Sequence, residues 1–250
     1  HYGTRRQRQM CIRDSYTTDG SYTIYKRSEK TATESKLHCL VEEKTSHKNF
    51  SGTTKRNADD GILRTFRLAV STNGEYTQFH GGTKAGAMAA INATMTRVNG
   101  VYENDFGVTM VLIANNDDVI YTNASTDPYS NGSFNSQLQS TLTSVIGEAN
   151  YDVGHLFAKA GDNGNAGCIG CVCVNNRKGS AFTSRGTPEG DAFDIDYVAH
   201  ELGHQFGANH TFTIRNEGTN AHYEPGSGST IMGYAGITGA TDVQHNSCLL

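Results

Sequence analysis

The run His200-Glu201-Leu202-Gly203-His204-Gln205-Phe206-Gly207-Ala208-Asn209-His210 constrains this chain more than any other segment. His200 and His204 are four residues apart, so a helix through them puts both imidazoles on one face, within reach of a single ion. Glu201 follows the first of them and can lean over toward a water held on that ion. Gly207 can take a positive φ, which predicts that the helix stops there and that the chain turns so His210 reaches the same ion from outside it. Three neutral nitrogens and one open position describe a catalytic Zn2+ better than a structural one, which a fourth protein ligand normally closes. Zinc polarises a carbonyl and lowers the pKa of its water, while Glu201 accepts the water proton and passes it to a departing amine. The chemistry read from these residue types is peptide-bond hydrolysis without a covalent intermediate. An isolated histidine pair at this spacing is ordinary on a partly buried helix; the whole pattern is not.

The rest of the chain supplies a domain to hold this segment. Its 250 residues, 36% hydrophobic and 18% charged, suit one globular domain with additional material. No apolar run approaches the roughly 18 residues that span a bilayer, so no membrane span is expected. The net charge of -4 comes without a basic stripe, which argues against a nucleic-acid partner. The charge is uneven: residues 1–60 hold 12 basic and 8 acidic side chains, whereas residues 61–250 hold 9 and 17. The front is rich in Thr, Ser, Lys, Arg and Glu, reads as short strands over 16–25 and 36–42, and lacks the apolar mass for its own core. We expect a prosegment-like region over 1–60 and a catalytic domain over 61–250, with the boundary near 56–63. Beyond it, strand and helix periods alternate: a strand from Arg64, an amphipathic helix over 84–102, and an apolar strand over 108–114 expected at the centre of a sheet. A helix over 134–149, a strand over 151–158 and a helix over 193–206 follow, the last capped by Asp191 or Asp194. That order predicts a mixed α/β domain with helices packed on a twisted sheet.

The zinc-binding pattern, with its third histidine after a glycine, resembles the metzincin clan of zinc endopeptidases. The resemblance implies a methionine turn after the third ligand, and Ser229-Thr230-Ile231-Met232-Gly233-Tyr234 fits it, with Met232 as an apolar floor under the histidines. Within the clan, the Asp152-Val153-Gly154-His155-Leu156-Phe157 strand and the Asn209-His210 pair look most like the reprolysin or adamalysin-like group, in particular its bacterial secreted members. The fold so implied is a twisted mixed sheet with long helices, an active-site helix at a horizontal cleft and a small lower part. In it, Gly154, His155, Leu156 and Phe157 would form the cleft's upper rim and bind protein or peptide substrates by backbone pairing. Two residues depart from the group: Thr211 stands where many of its members have Asp, and Tyr234 stands where many have Pro. Astacin-like enzymes carry a tyrosine at the latter position, which makes Tyr234 a candidate fifth ligand and oxyanion stabiliser.

Six cysteines, at 11, 39, 168, 171, 173 and 248, permit disulfides in a secreted protein, and one of the central three is expected to join Cys248. The resemblance also implies latency through a propeptide group on the open zinc position, with Cys39 the first candidate switch and Cys11 the second, and with processing after Arg56 or Arg64. Calcium is a candidate second ion through Asp117, Asp118, Asp127, Asp191, Asp194 and Asp196, although no spacing reproduces a calcium loop. A monomer is the favoured state. The start at His1 and the 18 residues after Met232 read as a processed or truncated product.

Overall fold

The computed structural model describes residues 12–16, 22–26, 38–41, 61–215, 217, 219–235, 238 and 242–243. Cys11, Cys248 and the processing position at Arg56 lie outside them. In the front region, β1 (Ile12–Tyr16) and β2 (Tyr22–Lys26) pair as an antiparallel hairpin, so the strand expected over 16–25 is two strands instead.

Among the described residues the main sheet has six strands. They are β3 (His38–Cys39), β4 (Arg64–Thr72), β5 (Val108–Leu112), β6 (Val153–Ala158), β7 (Asn163–Asn165) and β8 (Ala181–Ser184), in the spatial order β3-β7-β8-β6-β4-β5. All neighbours run parallel except β7 and β8. Alternation along β4 decides the layering: Leu68 and Val70 face one apolar cluster, and Ala69 between them faces another. The first cluster is filled by α2 (Lys84–Phe106) through Ala87, Ile91, Met95, Val98 and Tyr102, whose spacing of three and four makes one stripe. Burial of each of the larger side chains contributes roughly 1.5–3 kcal/mol. Thr83 caps α2 by accepting the Gly86 amide at 3.0 Å, and Gly107 ends it at φ 61°. The second cluster is filled by α3 (Phe134–Thr141) and the wider turns that continue it to Ile146. A short helix, α1 (Gly74–Phe79), joins β4 to α2.

Two expectations about the sheet exchange places. The strand at 108–114, expected at the centre, is the terminal β5, with Val111 53% exposed. The strand of Gly154, His155, Leu156 and Phe157, expected at the cleft's rim, is β6, hydrogen-bonded to β4 on one side and β8 on the other. With no free edge it has no backbone groups to offer a substrate. A continuous apolar run marks burial of side chains, not which flank of the strand is open. The strand that lies beside Glu201 is β7, whose outer flank pairs with β3 from the front region.

Candidate metal centre

The chain enters the site through α4 (Gly190–Phe193), a wider turn at Asp194–Ala199 and α5 (His200–Gln205). Asp191 and Asp194, expected to cap this helix, instead tie it to α2. Arg97 Nε donates to Asp191 Oδ1 at 2.9 Å and Thr94 Oγ1 to Asp194 Oδ1 at 2.8 Å. The Tyr102 hydroxyl adds a third tie, to the Ala199 carbonyl at 2.8 Å. At the other end Gly207 takes φ +109°, the Gly207 amide bonds His204 O and the Ala208 amide bonds Gly203 O, each at 2.9 Å. This is a glycine-terminated cap that reverses the chain toward His210. A disulfide between Cys168 and Cys171 closes the loop beneath, whose Gly170 amide donates to the His204 carbonyl at 2.9 Å. That bond replaces the expected link to Cys248, and Cys173 is a free, exposed thiol.

His200, His204 and His210 are buried, and their Nε2 atoms lie 3.1 Å apart in all three pairs. Their other nitrogens face pure acceptors: His200 Nδ1 the Ile231 carbonyl at 2.6 Å, His204 Nδ1 the Ala208 carbonyl at 2.8 Å, and His210 Nδ1 the Glu217 carboxylate at 2.9 Å. Each Nδ1 must therefore donate, which leaves three Nε2 lone pairs converging on one point. Burial holds His200 low, at about 3, and His204 well below its ordinary value, so neither relieves the repulsion by protonation near neutral pH. Lone pairs so placed need a cation. Tetrahedral Zn2+ sets its nitrogen ligands roughly 3.3 Å apart, so the donor set fits.

Glu201 supports the same reading. Both carboxylate oxygens are buried and neither meets hydrogen-bond geometry with a described side chain, although the Cys39 thiol and the Ala166 amide are near enough to bear on its charge. Burial pushes its pKa up to about 8, against the pull of His210. A buried carboxylate in this state is short of a polar partner, the place a metal-held water would take. Its backbone-side wall is Gly164 of β7, where an added Cβ would stand 2.3 Å from Glu201 Oε1.

Cys39 completes the cluster. Its sulfur lies 3.6 Å from His204 Nε2, and its Sγ and the three imidazoles offer ligand atoms within 4.8 Å of one another. Roughly 3.6 Å is the sulfur–nitrogen separation on one tetrahedral zinc. Burial and the neighbouring Glu201 raise the thiol's pKa well above its ordinary value. The acidic residues considered for calcium form no second such group among the described residues. Asp127, for instance, is taken up by the Gly74 and Tyr129 amides.

The turn carrying Met232 is buried behind this cluster and accepts the Thr211 amide on the Met232 carbonyl at 3.2 Å. Thr211 also bonds Glu224 Oε1 at 2.5 Å, and Glu224 takes the Thr230 hydroxyl and the Ser229 and Thr230 amides, so one carboxylate joins the His210 segment to the turn. Tyr234 stands with its ring centre 4.9 Å from that of His210 and 5.9 Å from that of His200, and its hydroxyl is 3.5 Å from Arg215. Burial raises its phenol far above the ordinary value, so it stays protonated. Buried His155 of β6 is not at the site: it bonds Gln205 and Thr183, each at 2.9 Å, and burial lowers it to about 4. Gly164 and Glu217 escaped the sequence reading, because neither has a fixed spacing from the histidines.

The family model for metallo-peptidase family M12B, reprolysin-like, matches residues 62–249. The chain belongs to the reprolysin-like M12B metallopeptidases. Comparison with curated proteins returns no match. An M12B metallopeptidase is a hydrolase acting on peptide bonds, and the matched residues include α5, the turn after it and the histidine cluster just described.

Proposed function

We propose that this metallopeptidase is a secreted zinc endopeptidase of extended polypeptides, with His200, His204 and His210 as zinc ligands and Glu201 as general base. The convergence of three Nε2 lone pairs beside an unpartnered buried carboxylate carries the reading. When bound, Zn2+ supplies Lewis acidity and an acidified water. Glu201 would take that water's proton and return it to the leaving amine, in a position walled on the β7 side by Gly164. Tyr234, kept protonated, donates to the developing oxyanion. The edge of β7 binds the substrate backbone, since β6 is paired on both flanks. The retained Glu201 speaks against a peptide-binding module without turnover. The test is hydrolysis of casein by zinc-loaded, activated protein, abolished by a chelator and restored by Zn2+; no cleavage by the zinc-loaded protein refutes the reading.

Latency is a second part of the reading, favoured by the place of Cys39. The front region holds the β7 edge: Leu40 N donates to the Gly164 carbonyl at 2.9 Å, and Asn165 Nδ2 to the Leu40 carbonyl at 2.8 Å. As a propeptide, this segment would keep its backbone on the proposed substrate rail and its thiol at the open ligand position, and these bonds support that reading. Cys39→Ala should process itself faster than the parent under matched conditions; equal rates sink the proposal. The disulfide is compatible with export, and among the described residues no helix is long and apolar enough to cross a membrane.

A further inference from the structure

The three proposed zinc ligands are oriented by different means. His200 and His204 donate to main-chain carbonyls whose positions the fold imposes. His210, the ligand outside the helix, donates to a side-chain carboxylate seven residues further on. We propose that Glu217 is a positioning residue of the metal centre: by holding His210 Nδ1 it sets the ring's orientation and raises the affinity of the site for Zn2+. This rests on the zinc reading above.

The surroundings of Glu217 are built for that task. His210 is 1% and Glu217 15% exposed at the side chain, so their bond is shielded from water. The other carboxylate oxygen takes Arg215 Nε at 2.5 Å, which stops the carboxylate from rotating away. The Arg215 guanidinium in turn lies over the Phe212 and Tyr234 rings, 5.3 and 5.6 Å from their centres. The Glu217 backbone is pinned as well: its amide donates to His222 Nε2 at 3.1 Å, and His222 Nδ1 donates to the Phe212 carbonyl at 2.6 Å. Phe212 stacks on His210 with ring centres 4.9 Å apart and planes 25° from parallel. The imidazole is therefore clamped on its face by Phe212 and on its edge by Glu217, and both clamps belong to one hydrogen-bonded unit. A carboxylate behind an imidazole also makes the far nitrogen a better donor to a metal than a carbonyl does.

Partners of this kind change metal affinity by roughly 10–100-fold when removed. The experiment measures Zn2+ dissociation constants by competition with a chromogenic chelator in the full chain, in a Cys39→Ala background so that the thiol does not contribute. Glu217→Ala should bind Zn2+ about 10–100-fold more weakly, and the isosteric Glu217→Gln, which keeps an acceptor but not the charge, should fall between it and the parent. Substrate KM on the zinc-saturated variants should stay within about twofold. Glu217→Gln provides the test if Glu217→Ala does not fold. Zinc affinity of folded Glu217→Ala within threefold of the parent overturns the proposal, as does that of Glu217→Gln where Glu217→Ala does not fold. A parent that binds no Zn2+ overturns the zinc reading itself, a distinguishable result.

Discussion

Gly164 is the position where a single methyl group should separate the fold from the chemistry. The strand β7 is paired with β8 at this residue, Gly164 facing Thr183, which limits how far the backbone can recoil once the front region is off the edge. In Gly164→Ala the new Cβ would stand 2.3 Å from Glu201 Oε1 and 2.7 Å from its Cγ and Cδ. Restoring ordinary separation requires the carboxylate to move by about 1 Å. A misplacement of that size costs on the order of 100-fold in rate, or about 2.7 kcal/mol of transition-state stabilisation. The three atoms nearest the new methyl all belong to Glu201, so zinc content should be unchanged, and overpacking should destabilise the domain by no more than about 1–3 kcal/mol. The assay is kcat/KM on a quenched fluorescent peptide in the Cys39→Ala background, with metal content and thermal unfolding measured on the same samples. A folded, zinc-loaded Gly164→Ala protein within threefold of its parent would refute the argument that this wall positions Glu201.

Two further outcomes follow from the packing around the site. Replacing Cys168 and Cys171 by Ser removes a short closed loop worth about 2 kcal/mol and loosens the Gly170 bond to the His204 carbonyl, so thermal unfolding should shift down by several degrees; no shift contradicts the bracing role. His155, buried neutral and lowered to about 4, binds fewer protons in the folded than in the unfolded state between pH 6.5 and 4, so stability falls as pH falls through that window. Its share is about 3 kcal/mol by pH 4, and denaturant titrations of His155→Gln should show a correspondingly shallower pH dependence.

The helix bearing His200 and His204, its stop at Gly207 and the return to His210 were legible because local rules decide them: a period of 3.6, a residue that tolerates positive φ, and five specified residues in one short window. The order of strands was not. The apolar runs of β5 and β6 are equally strand-like, and which one is central depends on pairings between residues far apart in the chain. The strand beside Glu201, Asn163-Gly164-Asn165, has almost no strand propensity and is made a strand by its neighbours. Glu217 and Glu224 belong to the same class. Their roles arise from a turn-rich segment folding back on itself, which leaves no periodic trace. The cysteines show the limit in another form: six permit many pairings, and the bond between Cys168 and Cys171 is set by loop geometry.

The central claim is that three histidines hold zinc while Glu201, which does not ligate it, moves the proton. Paired metal analysis and turnover of Glu201→Gln test it most directly, in the Cys39→Ala background with the parent alongside. Both proteins should hold one equivalent of Zn2+, and the variant should lose peptide hydrolysis by at least about 1000-fold. Hydrolysis within tenfold of the parent at full zinc occupancy would contradict it.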